Sequence, residues 1–388
     1  MASTATRPDG REMVGRAREI APALAARAAS CEAARLCPAE SVADFRAAGL
    51  HRILQPVRYG GLELGWDVHC EVAMALAAAC AAQGWVLSIY NDHHQALGQF
   101  ERAVQDEVWG DDPDVLTSAV FGPAGEARAV DGGFVVSGRW AFASGIDHAE
   151  WLIAGCRLVG GPGHLFAVVP KAQATVIDDW NVVGLAGTGS KSFAIDNVFV
   201  PAYRTLGGAE ADAGIARGGN DLPALYRMPR KATGGLGLAA VGVGAARGMI
   251  DAFAQHTRAR MGRPGSTAGD QWTQLHVAES AADVRAAEML LLNASRETAA
   301  ILQHAPTVGA DQRIANKRDM GYAAMLARRT AERLFALAGG QSLYAGDPLQ
   351  RYYRDIAAAT SHLALRWDIA ATPYGRAALG LAPPDGSY

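Results

Sequence analysis

The feature that most constrains this chain is a double switch in its hydrophobic period. Residues 11 to about 112 repeat apolar side chains at helical spacing, as in EVAMALAAACAAQGWVLSIY, with breakers such as PVRYGG and GDDPD between helices. From about 115 to 203 the texture changes to strands: GGFVVSGRWAFAS, EWLIAGCRLV, HLFAVVP and SFAIDNVFVP. Residues 205–232 form a glycine-rich, proline-containing connection, and from about 233 to 371 long alanine-rich helical segments return. This order predicts an α+β chain: an N-terminal helical domain (1–114), a central β domain (115–204), a linker (205–232), and a C-terminal helical bundle and tail (233–388).

Several function classes are disfavoured. A net charge of −3 leaves no electrostatic footprint for nucleic acid or an anionic membrane. No apolar run in the sequence approaches the ~20 residues that span a bilayer, and the N-terminus lacks a signal peptide's apolar segment, so a cytoplasmic location is expected. Cysteines 31, 37, 70, 80 and 156 form no C-x-x-C pair and read as reduced thiols. The histidines show no metal-ligand spacing, so no metal is expected. GGQSLYAG fails as a nucleophile elbow at Tyr344. Gly242, Gly244 and Gly248 are spaced one residue too long for a dinucleotide fingerprint and follow no strand; close helix packing explains them better.

Four stretches carry candidate chemistry. As an alternating strand, GRWAFASG (138–145) places Trp140, Phe142 and Ser144 on one face, either a core strand with an incidental serine or a wall for a flat ring with polar edges. NDHHQALGQF (91–100) sets His93 and His94 about 100° apart on a helix, so only one readily faces a given pocket. GLAGTGSKSFAIDNVFVP (184–201) puts a hydroxyl-bearing turn before a strand, with amides free for a cofactor's polar chain. In RYYRDIAAATSH (351–362), helical spacing gives Asp355, Ala359, His362 and Arg366 a common face.

Together these stretches resemble the acyl-CoA dehydrogenase fold: an N-terminal helical domain, a central β-sandwich or barrel, and a C-terminal four-helix bundle. AGLHRILQPVRYGG (48–61) is similar to that family's early helix-to-turn signature and GRWAFASG to its flavin-facing strand. GLAGTGSKSFAIDNVFVP is similar to its second sheet motif, RARMGRP (258–264) to its R-x-Q-F-G-x-P segment, and GGQSLYAGDPLQRYYRD (339–355) to its closing motif. The likeness runs in order along almost the whole chain. Within the superfamily, GRWAFASGIDHAEW, HHQALGQF, RDIAAATSH and YGRAALGL (374–381) look like the oxygenase components of two-component flavin-dependent monooxygenases, a branch that includes hydroxylases of natural-product pathways. In many dehydrogenases a glutamate base lies about eight residues beyond the R-D; here Leu363 stands there, and no glutamate follows Glu332.

The resemblance implies a reaction. Reduced FMN or FAD, supplied by a separate NAD(P)H:flavin reductase, meets O2 to give a C4a-hydroperoxyflavin that hydroxylates an aromatic or polyketide-like small molecule. It also implies roles. Trp140 and Phe142 pack on or near the isoalloxazine, Ser144 hydrogen-bonds near N5, and Arg258 pairs with the flavin phosphate. Thr188, Ser190 and Gly340 are further cofactor contacts. His93 holds the substrate hydroxyl, with Ser118 and Trp180 lining the substrate side, and His362 steers peroxide protonation. A homotetramer follows from the same likeness. The competing readings are an acyl-CoA dehydrogenase-like FAD enzyme with a relocated base and a silent helical scaffold. Ala119 and Val120 after Ser118 make the pocket wall more apolar than a simple small phenol requires.

Overall fold

The computed structural model describes residues 7–217, 222–259, 261 and 267–384. Five helices come first: α1 (Gly10–Ala34), α2 (Ala39–Ala47), α3 (Trp66–Ala79), α4 (Ala81–Leu97) and α5 (Arg102–Trp109). Asp9 caps α1 by accepting the Glu12 amide at 2.9 Å, and Arg35 ends it in the left-handed region at φ 54°. Extended Cys80 separates α3 from α4. The two helices then press together at Gly84, where a Cβ would lie 2.7 Å from the Ala77 amide nitrogen.

Helix α4 is held in the middle of the molecule by its own polar side chains. Asn91 donates to the Leu50 carbonyl at 2.9 Å and Gln95 to the Leu225 carbonyl at 2.8 Å; Gln99, just past the helix end, donates to the Met228 carbonyl at 3.1 Å. These amides tie carbonyls of the surrounding short turns to the helix.

The central domain is one curled mixed sheet. Its strands are β1 (Thr117–Val130), β2 (Gly133–Ala143), β3 (Trp151–Leu158), β4 (His164–Pro170), β5 (Thr175–Ile177), β6 (Lys191–Pro201) and β7 (Thr205–Gly207), in the order β5-β6-β2-β1-β3-β4-β7. Strand β1 runs antiparallel to β2 and parallel to β3. Residues 205–232, read as a linker, supply β7, which pairs with β4, and the short helices α6 (Gly208–Ala213) and, in part, α7 (Arg230–Thr233). The sheet closes on its own inner face. Trp140 of β2 stacks on Phe193 of β6 at 5.0 Å and donates its indole N–H to the Gly155 carbonyl of β3 at 2.7 Å. Gly125 makes room, since a Cβ there would lie 2.0 Å from the Trp140 ring. The outer face, with Ile153, Phe166 and Val168, packs against Leu97, Phe100, Val108 and Trp109.

One expectation fails in this part of the chain. Trp140 does not share a face with Phe142 and Ser144. Phe142 adopts φ 68°, the β2–β6 register shifts between Trp140 and Ala143, and that irregularity turns Phe142 outward while Trp140 points into the core. Among the described residues one stretch, Arg230–Ala259, is long and apolar enough by length and composition to cross a membrane, and 78% of its most apolar window is buried inside the protein, as in a core helix.

The C-terminal part contains α8 (Leu236–Ala259), α9 (Gln271–His304), α10 (Ala310–Ala338), α11 (Pro348–Thr360) and α12 (Trp367–Ala378). The glycine run serves helix packing: a Cβ on Gly244 would lie 2.4 Å from the Met74 carbonyl oxygen of α3, and one on Gly248 would lie 2.1 Å from that of Ala78. The shared helical face expected for Asp355, Ala359, His362 and Arg366 does not form. Helix α11 ends at Thr360, and His362 begins a new turn by accepting the Ala364 amide on its ring Nδ1 at 3.2 Å.

Candidate active site

Four side chains from three separate stretches meet in a single hydrogen-bonded chain. Trp85 of α4 donates its indole N–H to Ser144 Oγ at 3.0 Å. Ser144 Oγ lies 2.7 Å from Ser190 Oγ, which lies 2.7 Å from Thr188 Oγ1, and Thr188 donates to the Leu185 carbonyl at 2.8 Å. The geometry comes from the turn between β5 and β6. Leu185 and Gly189 both adopt left-handed conformations (φ 54° and 56°), which folds both hydroxyls back toward the end of β2. Ser118 braces the other side: it is fully buried and donates to the Ser144 carbonyl at 2.8 Å, so its hydroxyl holds this turn.

An uncovered aromatic surface adjoins the chain. Phe142 is 71% exposed and meets the half-buried Trp180 edge-on at 5.8 Å, and Val183 of the same loop is 81% exposed. Trp180 is fixed by donating its N–H to the Ala186 carbonyl at 3.1 Å, which sets it against Phe142. A flat apolar ring with a polar edge, such as a flavin, fits this pairing of open aromatic area with three hydroxyls. Trp140 is not part of that surface. It is sealed in the sheet core and backs the wall from behind.

Two histidines flank the chain. His93 Nδ1 lies 2.9 Å from the Thr117 carbonyl, an acceptor only, so Nδ1 carries the proton and Nε2 is a bare acceptor. Burial lowers the His93 pKa to about 4, and the ring is neutral at physiological pH. Its neighbour His94 turns the other way, with Nδ1 at 2.9 Å from the His51 carbonyl, its ring edge-on to Trp109, and Nε2 buried without a partner. His362 sits on the Trp85 side, ring centroids 6.2 Å apart. Because its Nδ1 accepts from Ala364, the ring proton is on Nε2; solvent reaches the ring, yet the surrounding atoms still lower its pKa by desolvation.

Arg258 and Gly340 are not brought to this cluster within the chain. Gly237, near the start of α8, lies against Ser88 of α4, whereas Arg258 is exposed on the last turn of α8, about 30 Å of helix away. Gly340 is exposed in the turn after α10. Of the segment 258–264 only Arg258, Ala259 and Met261 are among the described residues. No group of three His, Cys, Asp or Glu among the described residues could hold a metal ion.

The sequence reading passed over Trp85, although a signal was present. Trp85, Ile89, Asp92 and Ala96 recur at i, i+4, i+7 and i+11, a single helical stripe, and Asp92 is the one member of α4 that is not buried.

Comparisons with known proteins point to one family. Residues 8–107 match the family described as acyl-CoA dehydrogenase, N-terminal domain, and residues 236–367 the one described as acyl-CoA dehydrogenase, C-terminal domain. The FADH(2)-dependent resorcinol hydroxylase, oxygenase component, of Rhizobium sp. (strain MTP-10005) is 35% identical over 97% of this chain and 96% of its own length. The solved HsaA monooxygenase from M. tuberculosis superposes with a TM-score of 0.93 at 31% identity, covering 98% of this chain and 100% of that one. XiaF from Streptomyces sp., solved in complex with FADH2 and glycerol, superposes with a TM-score of 0.89 at 28% identity over 98% of each chain.

Proposed function

This chain belongs to the flavin-dependent monooxygenase oxygenase components built on the acyl-CoA dehydrogenase fold, and we propose that its site hydroxylates an aromatic or polyketide-like small molecule with reduced FMN or FAD delivered by a separate reductase. The observation that carries this reading is the hydroxyl chain Ser144–Ser190–Thr188 lying against the open Phe142–Trp180 surface, with His93 and His362 on either side. Bound reduced flavin, with O2, supplies the oxidising chemistry: one oxygen atom enters the substrate C–H bond, the other leaves as water, and the flavin ends oxidised.

The protein's part is binding, proton placement and exclusion of water. Phe142 and Trp180 support the ring face, and Ser144 presents a hydroxyl to its polar edge. His93 Nε2 accepts a hydrogen bond from a substrate hydroxyl, polarising its O–H bond and raising electron density on the ring ortho to it; a phenol of pKa ~10 needs that help. His362 Nε2–H donates on the opposite side. A carboxylate base of the dehydrogenase type has no counterpart at Leu363, which is why the dehydrogenase reading is not favoured.

Assembly follows the same reading. Arg258 and Gly340 lie apart from Ser144 within the chain, and Trp272, Leu275, Leu343 and Tyr344 leave large apolar side chains uncovered on the C-terminal helices and turn. A homotetramer in which one subunit's Arg258 and Gly340 serve another subunit's flavin accounts for both.

The test is a reaction of chemically reduced FMN or FAD, O2 and a panel of phenols with the purified protein, scoring hydroxylated product against hydrogen peroxide. Wild type yields product; His93→Ala lowers kcat by roughly 10²–10⁴-fold. Ser144→Ala and His362→Ala divert turnover to peroxide. Absence of product from every phenol, together with bleaching of an oxidised flavin form by an acyl-CoA, would replace this reading with the dehydrogenase one.

A further inference from the structure

Every side chain of α4 is buried except that of Asp92. Asp92 shares its stripe with Trp85, whose indole touches Ser144, so it faces the candidate site about 10 Å farther along the helix. Among the described residues no hydrogen bond or ion pair satisfies its carboxyl. This half-buried carboxylate has only solvent to satisfy it, and a ligand hydroxyl that displaces that solvent can take its place.

The surroundings indicate what that ligand is. Arg230 is the charge that acts on Asp92, but its guanidinium is engaged elsewhere, at 3.0 Å from Asp212 and over the rings of Phe121 and Phe166 at 5.3 and 5.4 Å. Phe121 in turn meets the His93 ring edge-on at 5.7 Å. Phe121 with Arg230 over it bridges the ~100° between these consecutive side chains: His93 meets the ring edge and Asp92 feels the Arg230 charge, so one aromatic wall borders both acceptors although no single small pocket would face both.

We propose that Asp92 is the second polar anchor of the substrate subsite, and that the substrate class is an aromatic ring bearing two meta hydroxyls, one donating to His93 Nε2 and the other to Asp92. Ortho hydroxyls run side by side and converge on one acceptor, whereas meta hydroxyls diverge as these two acceptors do. Arg230, held over Phe121, keeps the edge of the aromatic wall in place. The assignment rests on the hydroxylase reading for its second half only; the binding claim stands on Asp92 and His93.

The experiment measures binding and turnover separately, with phenol, catechol and resorcinol as probes on wild type, Asp92→Ala and Asp92→Asn. A hydrogen bond to a charged group predicts that wild type binds resorcinol about tenfold or more tighter than phenol, with catechol close to phenol. In Asp92→Ala that margin collapses while phenol affinity is unchanged. Asp92→Asn, which keeps a neutral acceptor of the same shape, retains part of the margin. Equal affinity for the three probes in wild type, or a margin that survives in Asp92→Ala, overturns the proposal. If wild type binds resorcinol through Asp92 but hydroxylates none of the probes, the hydroxylase reading fails and the anchor stands.

Discussion

The Trp85 indole nitrogen stands 3.0 Å from Ser144 Oγ, and this contact feeds one end of a proton-ordered chain. An indole N–H can only donate, and the Leu185 carbonyl at the other end can only accept. Each hydroxyl between them has a single proton. Thr188 gives its proton to Leu185, so Ser190 gives its own to Thr188, and Ser144 gives its own to Ser190. Ser144 is left with one free lone pair and no free proton. Toward a ligand it is an acceptor, which suits a partner carrying N–H, as reduced flavin does, better than the bare nitrogen of oxidised flavin.

Thr188→Val tests that polarity. With the terminal acceptor gone, Ser190 turns its proton toward Ser144, and Ser144 offers a proton in place of a lone pair. The preference for reduced over oxidised flavin should fall by about fivefold, one neutral hydrogen bond, in paired titrations of the two redox states. Thr188→Ser restores the chain and should restore the ratio. An unchanged ratio in Thr188→Val would show that the order of the chain does not govern the preference.

Trp140 offers a different kind of check, because the structure assigns it to packing. Trp140→Ala removes the stack on Phe193 and leaves a void between β2, β3 and β6, at a cost of about 3–5 kcal/mol in urea unfolding. Trp140→Phe keeps a ring and loses the bond to Gly155, costing about 1–2 kcal/mol. Flavin affinity of the folded fraction should match wild type in the Phe variant. A selective loss of flavin binding with unchanged stability would return Trp140 to the cofactor surface.

The domain order was legible because it depends on period: the helical and alternating patterns around residue 115 differ in a way that tertiary contacts do not erase. Ser144, Ser190 and Thr188 were legible as hydroxyls beside strands. Their meeting was not, since it depends on left-handed residues at Leu185 and Phe142, where a non-glycine residue gives no compositional warning. The same positive φ at Phe142 broke the alternation on which Trp140 was placed. His362 was found by position and misplaced by periodicity: nothing in AAATSH marks a helix stop, and the turn is set by a side-chain bond from the Ala364 amide to the histidine itself. Asp92 and Trp85 stand on one 3.6-residue stripe in the sequence, but such a stripe looks like any helix face until the fold brings Ser144 against Trp85.

His93 should show its buried, neutral character in pH profiles. With its pKa lowered to about 4 by burial, Nε2 stays an acceptor down to that pH, so protonation of this ring should limit kcat/KM near pH 4 and not near the ordinary 6.5. The linkage has the matching sign. A histidine whose folded pKa is depressed stabilises the fold fully above the unfolded pKa, and that contribution is lost as pH falls from about 6.5 through about 4. His93→Gln should therefore lose less stability than wild type between pH 6.5 and 4. An acid limb near 6.5 assigned to His93 by its loss in this variant would contradict the tautomer drawn from Thr117.

Asp92 makes the opposite prediction, and it separates a ligand anchor from a structural carboxylate. Burial raises its pKa to about 7, partly offset by the Arg230 charge, the charged neighbour that acts on it. A carboxyl whose folded pKa lies above its unfolded value of about 3.9 binds more protons in the folded state. Wild type then loses stability as pH rises from about 4 through about 7, and the full cost is present above that. Asp92→Asn removes the cost, so the variant should be more stable than wild type at pH 8 and level with it near pH 4. Solvent reaches the side chain, which reduces the full shift to a gain of about 1–2 kcal/mol. Chemical denaturation at the two pH values measures this directly. Adding resorcinol should narrow the gap at pH 8, because the ligand binds only the wild-type carboxylate strongly and stabilises it by mass action. A variant less stable than wild type at pH 8 would mean that Asp92 already has a partner within the fold, leaving no free anchor for a second hydroxyl.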